Sequence, residues 1–197
     1  MRAHGAQRAG SGRAILGLPQ SAGGRRQLDG CVAEAIGTGR LLLIPLRVRD
    51  AGEMAGVLGD ERLHEFTGGS PAGAADLQAR YQRLVAGSPD PAVCWLNWIV
   101  RLRTKGQAIG TVQATVTCGS LAAEVAWVIG TRWQGRGYAA EAAGGLVSWL
   151  AEQGITTITA CIHPDHHASA RVAARAGLSP TDRMADGEHV WQLITPL

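Results

Sequence analysis

The chain has 197 residues, 46% of them hydrophobic, a size and composition that fit one soluble globular domain with or without an appendage. Its 19 Lys and Arg against 16 Asp and Glu leave a net charge of +3, and the excess sits at the start: residues 1–37 hold five Arg against Asp29 and Glu34, while the rest of the chain is balanced. Beyond residue 37 there is no basic stripe of the kind nucleic acid requires. The longest apolar run near the start, Ala14 to Leu18, is too short for a signal-peptide core or a membrane span. These features predict a cytoplasmic protein with neither nucleic acid nor membrane as partner. Cys31, Cys94, Cys118 and Cys161 lack CxxC spacing, so they predict neither a zinc site nor a disulfide framework and read as small buried thiols.

Residues 1–37 are rich in Gly, Ala, Arg and Ser without periodicity, which fits a flexible tail or a leader. From Arg40 the pattern changes. Leu41 to Ile44 reads as a buried strand stopped by Pro45, and Asp50 as the N-cap of a short helix reaching about Gly59. His64 to Pro71 reads as a loop, and Ala74 to Val85 spaces Leu77, Tyr81, Leu84 and Val85 along one helix face. Val93 to Leu102, Ala108 to Thr117 and Glu124 to Ile129 then read as a strand meander with short Gly-containing links. A helix from about Gly137 to Gln153, a strand Ile155 to Ile162, a short helix Ser169 to Ala176 and a final strand Glu188 to Ile194 complete the order. The expected fold class is a mixed α/β sheet in a single domain over residues 38–197.

The junction of the third meander strand with the long helix carries the chemistry. A strand that runs into a Gly-rich turn and then a helix gathers unpaired N–H groups and a positive dipole end at one point, which is a phosphate site. Gly135 and Gly137 remove Cβ atoms where a diphosphate must approach, and Arg136 adds charge at the rim. Gly135 to Ala140 also satisfies the dinucleotide fingerprint G-x-G-x-x-A. The context opposes a dinucleotide: the strand ending Ala160-Cys161-Ile162 has no terminal acidic residue, and the strands before the loop meander instead of forming a parallel unit.

The same residues resemble the GNAT superfamily of N-acetyltransferases, whose signature Q/R-x-x-G-x-G/A is met by Gln134-x-x-Gly137-x-Ala139 and, in an overlapping frame, by Arg132-x-x-Gly135-x-Gly137. The surrounding text is similar to the branch of ribosomal-protein N-terminal acetyltransferases. It comprises Gly39-Arg40-Leu41-x-Leu43-x-Pro45-Leu46, Ile109-Gly110-Thr111, Glu124 to Ile129, Tyr138 to Ala142, His163-Pro164-Asp165 and Ala176-Gly177-Leu178. The resemblance covers about Thr38 to Leu197. It implies the GNAT fold, a mostly antiparallel mixed sheet with one splayed strand pair flanked by helices. It also implies acetyl-CoA as cosubstrate and direct transfer to a primary amine, of a small molecule or a peptide, in a ternary complex. Where this branch has Asn after Pro-Asp, this chain has His166.

Carried over residue by residue, the resemblance lays the pantetheine arm along Trp127, Val128 and Ile129, with the Val128 N–H polarising the thioester carbonyl. Gln134, Gly135, Arg136, Gly137, Tyr138 and Ala139 form the diphosphate loop. Glu124 is the expected base, as a partly buried carboxylate. The Tyr that protonates the thiolate in many relatives has no counterpart between residues 167 and 177, so Ser169 or His166 takes its place beside the cofactor; a thiol of pKa about 8.5 needs little help to leave. Phe66, Trp95 and Trp127 are the expected acceptor-binding residues. His163, His166 and His167 lack the spacing of a metal site, and none is expected. A CoA-binding module without turnover and a Rossmann-type binder are the alternatives. A homodimer is left open.

Overall fold

The computed structural model describes residues 32–66 and 68–195. The expectations for residues 1–31, including Cys31, lie outside the described residues. Eight strands form one sheet: β1 (Ile36–Gly37), β2 (Leu41–Pro45), β3 (Val93–Leu102), β4 (Ala108–Thr117), β5 (Ala122–Ile129), β6 (Thr157–Ile162), β7 (Ser179–Ala185) and β8 (Glu188–Ile194), in the order β1-β2-β3-β4-β5-β6-β8-β7. Helices α1 (Ala51–Val57), α2 (Ala74–Ala86), α3 (Tyr138–Glu152) and α4 (His167–Arg175) cover it. Every neighbouring pair is antiparallel except β5 and β6, which run parallel because α3 crosses over between them.

The helices lie on opposite faces. One core joins the sheet to α3 and α4 through Trp98, Val112, Val125, Ala142, Leu146, Leu150, Ile158 and Ala173. A smaller core joins Ile99 and Ala108 to Met54 and Val57 of α1 and Leu77 and Tyr81 of α2. This two-sided burial explains why the β3 sequence reads as a continuous apolar run, from Leu96 to Val100, with the one polar interruption Asn97.

Two elements escape the sequence pattern. β7 reads Ser-Pro-Thr-Asp-Arg-Met-Ala, is exposed over most of its length, and breaks register between Pro180 and Met184 against β8. An outer strand needs no period-two apolar face, so nothing announces it. β1 falls inside the segment read as a tail: Ile36 pairs with Leu43 and is buried against the larger core, and the Trp98 Nε1–H donates to the Glu34 carbonyl at 2.6 Å. Asp50 stands at the N-cap position of α1, but its carboxylate accepts from the Arg47 amide and the Arg101 guanidinium instead of capping the helix.

Gly110 shows how closely β4 and β5 approach. A Cβ there would meet the Val128 carbonyl and, at 2.9 Å, the Ile129 Cα, both of them backbone. Gly110→Ala is expected to destabilise the protein by about 1–3 kcal/mol, through forced separation of these two strands. Urea unfolding, with an unchanged m-value, is the check.

Candidate active site

β5 and β6 pair only at their feet, where Ala122, Ala123 and Glu124 face Thr157, Ile158 and Thr159. Beyond that rung no ladder joins Val125–Ile129 to Ala160–Ile162. The gap is bridged by side chains alone: the Trp127 Nε1–H donates to the Ser169 Oγ of α4 at 3.1 Å.

The backbone parity along β5 follows from one bond. The Gly130 N–H donates to the Ile109 carbonyl of β4 at 2.9 Å, and hydrogen-bonding direction alternates along a strand. Val128 and the other even-numbered residues therefore point their N–H and C=O at β4, whereas Trp127 and Ile129 point theirs into the gap. Two side-chain bonds agree: the Thr159 hydroxyl donates to the Ala123 carbonyl at 3.4 Å, and the Gln134 Nε2 donates to the Ile129 carbonyl at 2.8 Å. The expectation that the Val128 N–H serves a ligand in the gap is corrected by this parity, because its amide belongs to the β4 ladder.

At the head of the gap the chain makes a short 3-10 turn, Thr131–Trp133, then bends through Gly135 and Gly137, both left-handed at φ 74° and 78°, into α3. A side chain rarely adopts this backbone, which accounts for both glycines. Gly137 is the N-cap of α3 and no side chain caps the helix; its carbonyl receives the first helical bond, from the Glu141 N–H. The amides ahead of Glu141 thus have no helical partner and sit at the positive end of a 15-residue helix. A Cβ on Gly135 would touch nothing, and one on Gly137 would come no closer than 3.5 Å to the Arg40 guanidinium, so the approach is open.

Arg40 clamps this loop to the start of β2. Its Nε donates to Glu141 Oε2 at 2.6 Å, its amide to Glu141 Oε1 at 2.7 Å and its Nη1 to the Arg136 carbonyl at 3.0 Å, and its guanidinium lies 4.6 Å above the Tyr138 ring. The Thr38 hydroxyl adds a 2.7 Å bond to Glu141. Burial by itself would raise the Glu141 carboxyl, but the bonds from Thr38 and Arg40 outweigh it and hold the group below the usual carboxylate range.

A cavity of about 550 Å³ opens from the gap toward α2. Its walls are Val125 to Val128 of β5, Ala160 to His163 beyond the last paired rung of β6, Asn97 and Gln113 on the sheet, Asp76, Leu77, Arg80 and Tyr81 of α2, and His64, Phe66 and Gly68 of the preceding loop. Phe66 reaches across to stack on His166, with centroids 4.3 Å apart and planes at 14°. Burial lowers the His166 pKa, Glu65 acts against this and His163 adds to it, so the neutral ring is favoured in the stack.

The expected site residues divide accordingly. Phe66, Trp127, Val128, His166 and Ser169 line the cavity, and Gln134 to Ala139 form the loop above it. Ile129 is buried, with its carbonyl taken by Gln134. Trp95 is not on the wall; it pairs with Thr115, which pairs with Glu124, so Trp95 and Glu124 share the rung at the foot of the gap. Glu124 is exposed, not partly buried as expected, while Trp95 and Thr115 on the same rung are half-buried. Cys118 is likewise exposed, with its Sγ 3.4 Å from that of Cys94. His64, Tyr81 and Asn97 also line the cavity, though Tyr81 reads in sequence only as an apolar helix position. Among the described residues, no three His, Cys, Asp or Glu are grouped to hold a metal ion, and no helix is long and apolar enough to cross a membrane.

The clamp makes two measurable statements. Because the Glu141 pKa is depressed, the stability it confers is complete above the ordinary carboxylate pKa and is lost as pH falls through the lowered value. Glu141→Gln should therefore cost roughly 1–2 kcal/mol at pH 7 and flatten the fall of thermal stability on acidification below about pH 4.5.

Comparison with known proteins places this geometry. The profile of the acetyltransferase (GNAT) domain matches residues 40–179. No curated protein matches the chain. Among solved structures, Mycobacterium smegmatis RimJ in complex with a CoA-disulfide superposes with TM-score 0.69 at 15% identity, over 83% of this chain and 88% of its own. The ribosomal-protein-S5-alanine acetyltransferase of Vibrio fischeri gives 0.66 at 18%, over 82% and 96%. The aminoglycoside acetyltransferase AAC(6')-Ib in complex with coenzyme A gives 0.64 at 18%, over 78% and 94%. At these identities the structures speak for the fold, and the profile, which spans most of the chain, speaks for the family: the protein belongs to the GNAT acetyltransferases.

Proposed function

We propose that the chain moves the acetyl group of acetyl-CoA to a primary amine, by direct attack within a ternary complex. The observation that carries this reading is the coincidence of a strand gap with an uncapped, glycine-opened helix start at its head. The gap suits an extended arm and the helix start suits a diphosphate. When bound, acetyl-CoA supplies an activated acyl group; the protein supplies its placement.

In this reading the amides of Arg136, Gly137, Tyr138 and Ala139 hold the diphosphate, with the Arg136 side chain exposed at the rim. The gap-facing edge at Trp127 and Ile129 holds the pantetheine arm, and an N–H of that edge, in place of Val128, polarises the carbonyl. Ser169 receives the Trp127 N–H on its oxygen, which leaves its own hydroxyl proton available to the departing thiolate. Glu124, exposed at the foot of the gap, draws the ammonium proton through water and delivers it to solvent. His166 stands where this branch carries Asn and gives the cofactor side a ring held by Phe66.

The acceptor follows from the cavity's charge. Asp76 and Glu188 are set against Arg80 and Arg83, with no acidic excess to hold a polycation. A peptide N-terminus or a small monoamine fits better than a polyamine or aminoglycoside. Among the similar structures both kinds of acceptor occur in the names, ribosomal proteins in some and an aminoglycoside in another.

Thiol release from acetyl-CoA across short peptides, aminoglycosides and polyamines is the direct test. Release with at least one peptide is expected, and silence across the panel would remove the reading. Gly137→Val should raise the KM for acetyl-CoA more than tenfold, since φ 78° and the open approach are both lost. Glu124→Gln should lower kcat about a hundredfold; an unchanged rate would take the proton role from Glu124.

A further inference from the structure

Among the described residues, only two buried side-chain polar atoms find no hydrogen-bond partner: the His64 Nε2 and the Tyr81 hydroxyl. Both residues line the same cavity, His64 from the loop before α2 and Tyr81 from α2 itself. Buried polar atoms are almost always satisfied in native proteins, and two orphans on one cavity ask for a ligand that pairs with both.

Their hydrogen-bonding senses are opposite. The His64 Nδ1 lies 3.3 Å from the Gly68 carbonyl, which can only accept. A proton on Nδ1 makes this bond and leaves the Nε2 lone pair as an acceptor. The turn that aims this carbonyl is itself closed, by the Gly68 N–H donating to the His64 carbonyl at 2.8 Å. Tyr81 is 2% exposed, and burial pushes its hydroxyl up to about 12, so it keeps its proton and donates. The surrounding wall includes Leu58, Leu77 and Leu84, which favours a small ligand of low charge.

Resting on the acetyl-transfer reading above, we propose that His64 and Tyr81 are the acceptor-recognition pair: the His64 Nε2 accepts an N–H from the amine, and the Tyr81 hydroxyl donates to a carbonyl oxygen of the same molecule. The substrate class this selects is a primary amine that also carries a neutral amide carbonyl, the chemistry of a peptide N-terminus. A simple alkylamine satisfies one group and leaves the other orphaned. Asn97 of β3, 8% exposed, lines the same cavity and is a further amide able to meet a peptide backbone.

The test compares alanyl-alanine amide with n-butylamine, titrated calorimetrically into the protein saturated with CoA. Binding is read without turnover, so a failure of acetyl transfer and a failure of this proposal are separate results. The wild type should bind the dipeptide amide about tenfold more tightly, the worth of one neutral hydrogen bond. Tyr81→Phe keeps the ring and should abolish that preference while leaving the alkylamine within twofold. His64→Ala should weaken both ligands about tenfold, and His64→Gln, which restores an acceptor oxygen, should recover part of the loss. In turnover the same factors should appear in the KM for the amine, with the KM for acetyl-CoA unchanged. In the free protein, Tyr81→Phe should unfold at the same temperature or higher, since it removes an unsatisfied group. A Tyr81→Phe protein that retains the preference, or variants that raise both KM values together, would overturn the proposal.

Discussion

The structure depends on a ladder that stops early. β5 and β6 are the one parallel pair in the sheet, and a parallel pair needs a crossover helix to connect it. That single topological requirement creates both halves of the site. The strands share hydrogen bonds only at the foot, so the upper part of β5 keeps a backbone edge that β6 does not use, and the crossover helix must begin directly above the edge it leaves. An extended-chain slot and an anion cradle are therefore adjacent because one connection makes them both.

A gap in a sheet is costly unless something holds its walls. Here the walls are held from both sides of the molecule: Trp127 reaches Ser169 across the opening, and Phe66 stacks on His166 over it. The cradle is held by Arg40, whose charge is already matched by Glu141. The clamp contributes rigidity to the loop without adding a strong field to it, and leaves the helix end and the exposed Arg136 as the loop's positive features. Ile36 and Thr38 belong to the same support, since a Cβ on Gly145 of α3 would strike the Thr38 methyl at 2.7 Å. The helix that starts at the cradle is thus packed directly against the chain entering the domain.

Much of this was legible beforehand. The apolar runs of β3 and β4, the glycine positions and the order of elements led to the fold, because two-sided burial writes itself into composition. The loop was legible for the same reason, since positive φ demands glycine. Other features leave no trace in residue order. β7 is an exposed edge with a polar sequence, and β1 is two residues long within a Gly- and Ala-rich stretch. Backbone parity along β5 depends on register with β4, so Val128 was assigned a gap-facing amide that belongs to Trp127 and Ile129. The openness of Glu124 depends on where the ladder ends, and the unsatisfied atoms of His64 and Tyr81 depend on what packs opposite them.

Gln134 gives the motif a meaning beyond the glycines that follow it. Its side-chain amide occupies the Ile129 carbonyl, the last acceptor on the free edge of β5. Anything laid along that edge as an extra strand runs out of partners at this point and must turn away toward the helix start. The glutamine acts as a full stop in the backbone's grammar, setting how many bonds an added strand can form along β5 before it must bend toward the start of α3.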